Sequence, residues 1–295
     1  MTTGTAAAPA PVVAGIAFQN PVLLASGTAG FGRELDGMVD LEALGGLVTK
    51  AVSLQPRKGN PSPRVAEFRG GMLNSVGLAN PGVDAVRTIE LPWLATHLRK
   101  ARVLVNVVGF VEEEYAEVMA RLDDAGGFAA YELNLSCPNT ARGGIEFGAE
   151  PDSVRRIVAG CRAATSRPIF AKLSPALPDI PSMALVARDA GADGVSLVNT
   201  LPGTLSRGGA PRVGQGYGGV SGPGLLPIGL RAIARVREQD AALPLIGVGG
   251  IRSTADARQY LDAGASLVAI GTAALADPRL PERVVTGLRG YGWRS

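Results

Sequence analysis

LIGVGGIRSTADARQYLDAGASLVAIGT, Leu245 to Thr272, holds one complete unit of the fold. Leu245–Gly250 is a short apolar run that stops at glycine. Ser253 is placed to cap a helix, Ala255–Ala263 carries apolar residues at helical spacing, and Gly264 ends it. Leu267–Thr272 then opens the next apolar run. Strands that are apolar throughout need cover on both faces, so a strand–glycine–helix–strand rhythm reads as a parallel β-α-β unit.

The same rhythm extends in both directions. Apolar runs fall at Val22–Ser26, Leu47–Val52, Val103–Gly109, Tyr131–Ser136, Ile169–Ser174 and Val195–Thr200, which with the two above makes eight. Helical spacing occupies Tyr115–Asp124, Ser153–Thr165, Met183–Ala190 and Leu230–Glu238. Eight β-then-α units in one chain of 295 residues predict an α/β fold, a single (β/α)8 TIM barrel over residues 15–295. Hydrophobic residues make up 46% of the chain, ample for one buried core, and 40 glycines suit many tight strand–helix turns. Residues 1–14, rich in Ala, Thr and Pro, read as a short disordered leader, with neither a positive n-region nor an apolar run of about 18 residues. The two cysteines, Cys137 and Cys161, cannot make a disulfide framework, which points to a reduced, cytoplasmic setting.

A barrel places its chemistry at the C-terminal strand ends. Those ends carry Ser26, Lys50, Asn106, Asn134, Lys172, Asn199-Thr200, Gly249-Gly250 and Gly271-Thr272. Polar residues gathered at one end of apolar strands are poorly explained by packing. Two longer connections, Gln55–Val83 and Leu201–Pro227, interrupt the rhythm and are placed to cover a substrate at the mouth.

Several chemistries are excluded. His97 is the one histidine and falls in a helical stretch, Pro92–Lys100, away from every strand end. A Ser/His/Asp triad therefore lacks its base, and a His-based metal site lacks ligands. Without CxxC spacing the cysteines hold neither zinc nor an iron–sulfur cluster. A net charge of +3 spread along the chain gives no case for nucleic acid. Cys137, just past the fourth strand, is the main candidate for a general base, since a thiol in an electropositive site can reach thiolate; an inert cysteine in a turn is the plainer alternative. Cys161 lies mid-helix among Val158, Ala159 and Ala163 and reads as inert. Lys50 and Lys172 can bind an anion, form a Schiff base or face a delocalised negative charge. Glycines ending the seventh and eighth strands let backbone N–H groups converge on a phosphate, without the spacing of a Rossmann fingerprint or a P-loop.

Taken together these residues resemble the dihydroorotate dehydrogenases from Asn20 to Ala276. The most specific piece is ELNLSCPNTARGGIEFG, Glu132 to Gly148. Supporting it are NPVLLASGTAGFG (Asn20–Gly32), TKAVSLQPRKGNPSPR (Thr49–Arg64), NSVGLANPG (Asn74–Gly82), AKLSP (Ala171–Pro175), GGVSGP (Gly218–Pro223) and GVGGI (Gly247–Ile251). The resemblance implies FMN across the barrel mouth, its phosphate on Gly249, Gly250, Gly271 and Thr272 with Gly222 nearby. Ser26, Lys50, Ala51, Asn106, Asn134, Lys172 and Val198 would contact the rest of the flavin. Substrate would be held by Lys50, by Asn74, Ser75, Val76, Gly77 and Leu78, and by Asn134, Asn199 and Thr200. Cys137 would take a proton from C5 of dihydroorotate while hydride leaves C6, giving orotate in de novo pyrimidine biosynthesis.

The subclass follows from the same comparison. The membrane-bound, quinone-linked class uses serine as base and carries an N-terminal membrane-associating extension, whereas this chain has Cys137 and no such segment. Gly143-Gly144-Ile145 and Phe147-Gly148 look like the NAD-linked class 1B rather than the fumarate-linked form. That class implies a homodimer at the core of a heterotetramer, with FAD and a [2Fe–2S] cluster on the partner subunit. The stretch from Leu201 to Gln215 departs from the family pattern. Two other readings stay open: a flavin barrel acting on another reduced pyrimidine, of the dihydropyrimidine dehydrogenase type, and a flavin-free lyase using Lys50 or Lys172.

Overall fold

A computed structural model describes residues 10–136, 138–139 and 145–292. Its centre is a closed barrel of eight parallel strands paired in sequence order: β1 (Val22–Leu24), β2 (Gly46–Val48), β3 (Arg102–Val107), β4 (Ala130–Asn134), β5 (Ile169–Leu173), β6 (Gly194–Leu197), β7 (Leu245–Val248) and β8 (Leu267–Ile270). β8 closes on β1 with Ile270 opposite Leu24. The (β/α)8 barrel expected from the rhythm is the fold observed.

Alternation along each strand sorts the side chains into two cores. Leu23, Val48, Leu104, Ala130, Phe170, Ile246, Leu267 and Ala269 form one buried cluster inside the barrel. Leu24, Leu47, Val105, Tyr131, Leu133 and Val268, one residue out of phase, pack outward against the helices. Each large side chain so buried contributes roughly 1.5–3 kcal/mol.

The outer helices begin earlier than periodicity alone suggested. They span Glu112–Leu122, Pro151–Ala164, Ile180–Asp189, Leu226–Gln239 and Thr254–Asp262. The signals for the extra first turns are local. Glu112, Glu113 and Glu114 suit the positive N-terminal end of one helix, and Pro151, Pro181 and Pro227 sit within the first two positions of three others. Ser253 caps Thr254–Asp262 by accepting from the Asp256 N–H at 3.2 Å, as its position before the apolar spacing indicated. The helical run between β2 and β3 extends from Val83 to His97 through a π turn at Val86–Glu90. Pro92, which cannot donate a backbone hydrogen bond, stands two residues after that turn, in the first turn of the next helical segment. The first unit carries two 3-10 turns, Arg33–Leu35 and Leu41–Ala43, where a full helix would stand.

Two findings depart from the sequence reading. Val12–Val13 and Ile16–Ala17 form a hairpin, so Val12 and Val13, within the stretch expected to be a leader, belong to a strand. Val13 and Phe18 are buried in the interior cluster, and Arg102 Nε donates to the Ala17 carbonyl at 2.9 Å, which ties the hairpin to the N-terminal end of β3. The two long connections also do not lie as separate loops. Leu201–Gly203, Gly218–Ser221, Gly71–Asn74 and Val65–Phe68 pair as one four-stranded antiparallel sheet. No helix among the described residues is long and apolar enough to cross a membrane.

Candidate active site

Inside the barrel the chemistry changes along the strand direction. The in-phase positions run Leu104 then Asn106 on β3, Ala130 then Glu132 and Asn134 on β4, and Phe170 then Lys172 on β5; Ser196 lies beside Lys172 on β6. The lower interior is apolar and the upper interior polar on this side. Asn106, Glu132, Lys172 and Ser196 are all buried, at 1%, 1%, 6% and 0% exposure.

These four side chains form one network around Glu132. Asn106 Nδ2 donates to Glu132 Oε1 at 2.7 Å, and Ser196 Oγ donates to Glu132 Oε2 at 2.7 Å. Lys172 Nζ lies 3.4 Å from Oε1. The carboxylate is thus satisfied, as a buried charge must be. Asn106 Oδ1 is not. It is buried without a hydrogen-bond partner among the described residues, and an unmet acceptor of this kind costs about 1–3 kcal/mol. A planar ligand bearing an N–H, as the pyrimidine ring of a flavin does, would supply the donor.

The other strand ends are stitched to this network through the backbone. Ser26 Oγ donates to the Thr49 carbonyl at 2.8 Å, Thr49 Oγ1 donates to the Lys50 carbonyl at 2.9 Å, and Asn106 N–H donates to Thr49 Oγ1 at 3.1 Å. Ser26, Lys50, Ala51 and Asn106 are therefore neighbours across β1 to β3. Asn199 Nδ2 donates to Asn134 Oδ1 at 3.3 Å, and Thr200 N–H donates to Asn199 Oδ1 at 2.8 Å, which joins the β4 and β6 ends. Tyr115 Oη fixes the Asn134 carbonyl from the helix side at 2.8 Å. Val198 follows β6, its N–H bonded to the Val248 carbonyl at 2.9 Å.

The four-stranded sheet lies against these ends. Asn74 pairs with Gly219, and Asn74 Nδ2 donates to the Gly219 carbonyl at 3.1 Å. A side chain at Gly219 would meet Thr200 Oγ1 at 2.0 Å, so the sheet packs directly on the Asn199-Thr200 end of the barrel. Asn74–Leu78 is held from behind: Asn60 Nδ2 donates to Ser75 Oγ at 3.1 Å, and Asn80 Nδ2 donates to the Leu78 carbonyl at 2.8 Å. Leu78 adopts a left-handed conformation, and its side chain packs on the outer core.

On the opposite side of the mouth, the glycines after β7 have a conformational reason. Gly249 and Gly250 have φ of 119° and 75°, and a side chain on Gly250 would meet the Leu226 backbone nitrogen at 2.5 Å. Tyr260 Oη donates to both the Val248 and Gly249 carbonyls, at 3.0 and 2.9 Å, holding the turn from below. Thr272 Oγ1 donates to Ser221 Oγ at 2.7 Å, and Ser221 precedes Gly222, so Thr272 and Gly222 are brought to one edge.

Cys137 lies outside the described residues, as do Thr140–Gly144. Its neighbours are present on both sides: Asn134 ends β4, and a short ladder pairs Pro138–Asn139 with Ile145–Glu146. Cys161 is fully buried in its helix, and burial pushes its thiol up to about 12, in keeping with an inert residue. Four supporting residues escaped the sequence reading: Glu132, Ser196, Tyr260 and Asn80. Glu132 was legible in principle, because it stands two positions before Asn134 and so on the same strand face. The other three make their contacts over distances in sequence that no local pattern encodes.

The upper interior of the barrel thus holds a buried cation, paired amides and an unmet acceptor, with a glycine edge opposite. The model of the dihydroorotate dehydrogenase family matches residues 10–291. The chain is 45% identical to the catalytic subunit of dihydroorotate dehydrogenase B (NAD(+)) of Pelobacter propionicus, covering 95% of this chain and 91% of the relative. It is 47% identical to a protein of Solibacter usitatus named putative dihydroorotate dehydrogenase A (fumarate), over 95% and 91% of the two chains. A Cutibacterium acnes catalytic subunit of dihydroorotate dehydrogenase B (NAD(+)) is 44% identical over 93% and 90%. The chain belongs to the dihydroorotate dehydrogenase family of oxidoreductases.

Proposed function

We propose that this protein oxidises (S)-dihydroorotate to orotate at an FMN bound across the barrel mouth, in the synthesis of pyrimidines. The observation that carries the reading is the polar set of Asn106, Glu132, Lys172 and Ser196 in the upper part of an otherwise apolar barrel interior, with Asn106 Oδ1 left open to a ligand donor. The residues present fit the cofactor. Gly249, Gly250, Gly271, Thr272 and Gly222 would hold its phosphate, and Ser26, Lys50, Ala51, Asn106, Asn134, Lys172 and Val198 the ring system. When bound, FMN accepts hydride from the substrate and so serves as the oxidant.

The chain's own residues supply the rest. Lys50 pairs with the substrate carboxylate. Asn74, Asn134 and Asn199 each offer a donor and an acceptor to the ring amides, with Ser75, Val76, Gly77, Leu78 and Thr200 completing the enclosure. Cys137, three positions after Asn134 in the sequence, takes the proton from C5 as hydride leaves C6. The antiparallel sheet packed on the Asn199-Thr200 end forms one wall of the mouth.

NAD+ is the proposed final acceptor, reached through a partner subunit carrying FAD and a [2Fe–2S] cluster. Gly143-Gly144-Ile145 and Phe147-Gly148 support this, as do the names of the Pelobacter and Cutibacterium relatives. A second reading, fumarate as acceptor with no partner, is favoured by the name of the Solibacter relative at similar identity. Reoxidation of the dihydroorotate-reduced chain separates them. Rapid reoxidation by fumarate alone supports the second reading; indifference to fumarate, with NAD+ effective only beside a partner subunit, supports the first.

A further inference from the structure

The carboxylate at the centre of the buried network has no part in the chemistry above, yet it touches two residues that do. Glu132 is 1% exposed and carries three polar contacts drawn from three strands: Asn106 on β3, Lys172 on β5 and Ser196 on β6. Asn106 and Lys172 are both assigned to the flavin. Their side chains are fixed by the same oxygen, Oε1, while Ser196 holds Oε2. Stability alone is a weak reason for this arrangement, because a buried ion pair is often no more stabilising than apolar residues of the same volume. The positions just below in the same strands are Leu104, Ala130 and Phe170, so the barrel readily fills this interior with apolar groups.

We infer that Glu132 is a positioning residue that sets the reduction potential of the flavin, by partly neutralising Lys172 and by holding Asn106 with its free oxygen toward the ligand. The inference rests on the assignment of FMN to this site. A cation beside a flavin favours the reduced form, which carries the extra negative charge. A carboxylate 3.4 Å from that cation opposes it, in a setting where charges are weakly screened. Ser196 moderates the carboxylate in turn, since its hydroxyl dipole points its positive end at Oε2.

The test is the midpoint potential of the FMN-loaded chain, measured anaerobically without substrate, for wild type, Glu132→Gln and Ser196→Ala. Gln keeps the size and the contact to Asn106 while removing the charge. Glu132→Gln is expected to move the midpoint positive, on the order of tenfold in the reduced-to-oxidised ratio at fixed potential, or about 30 mV for a two-electron couple. Ser196→Ala is expected to move it negative, because a donor to the carboxylate is lost while the charge stays. Should Glu132→Gln fail to fold, the negative shift of Ser196→Ala decides alone. Wild-type midpoints in the folded variants would overturn the inference and leave the flavin reading intact. A wild-type chain that takes up no FMN would overturn both.

Discussion

At the residue scale, the two cysteines make opposite predictions. Cys161 is enclosed in a helix with its thiol pushed up to about 12 by burial, so iodoacetamide at pH 8 should leave it unmodified in the folded protein. Peptide mapping after labelling checks this, and modification of Cys161 before unfolding would contradict it. Cys137→Ala should retain FMN but slow its reduction by dihydroorotate about 10²–10⁴-fold in stopped-flow traces, the usual contribution of a positioned base. Near-normal reduction would remove Cys137 from the mechanism. Tyr260→Phe isolates a different role. Without the phenol that holds the Val248 and Gly249 carbonyls, FMN should bind more weakly while riboflavin, which lacks the phosphate, binds as before. Lys50, Asn106, Asn134, Lys172 and Asn199 were legible in the sequence because each breaks the apolar pattern at a strand end. Ser196 was not, since a lone serine inside an apolar run carries no such contrast.

At the element scale, the turn after β7 and the end of the Leu226–Gln239 helix are held by different means. Gly250→Ala places a methyl group in a left-handed conformation and 2.5 Å from the Leu226 nitrogen, so it should destabilise the fold by more than about 1 kcal/mol in urea unfolding. Asp240 ends the helix. Its carboxylate accepts from the Ala242 and Leu243 N–H groups at 2.8 and 2.9 Å and pairs with Arg188 at 2.7 Å. The hydrogen bond from Arg188 is the largest cause holding its pKa below the ordinary carboxylate value. A carboxyl depressed in the folded state stabilises it above the unfolded pKa, and that stability is lost as pH falls through the folded value. Asp240→Asn should therefore lower the melting temperature between pH 6 and 8 and make the acid limb of the thermal-stability profile shallower, the gap to wild type closing as pH falls. Strand and helix positions were readable from periodicity and caps, but the pairing of the two long connections was not. Val65–Phe68 and Gly71–Asn74 are adjacent in sequence, whereas their partner Gly218–Ser221 lies across the barrel's order, and only the closed barrel brings the two together.

At the scale of the whole molecule, eight sequential parallel strands place every polar strand end at one mouth, and that follows from the fold alone. The sequence therefore disclosed where the candidate residues gather as soon as it disclosed the barrel. What it withheld was how the polar residues meet below the mouth: that Asn106 lies beside Glu132 and Lys172 beside Ser196 is given by strand register. The N-terminal hairpin was withheld for a related reason, since Val13 and Phe18 find their burial against a cluster assembled from distant strands. Dihydroorotate oxidation is proposed for the assembled mouth, and the most direct test uses the whole chain. The purified protein, loaded with FMN and held free of oxygen, is given dihydroorotate while its visible spectrum is recorded. Bleaching of the flavin bands with formation of orotate is the predicted result. A flavin spectrum that stays oxidised would contradict the assignment of dihydroorotate as substrate, and a chain that cannot be loaded with FMN would contradict the reading of the site itself.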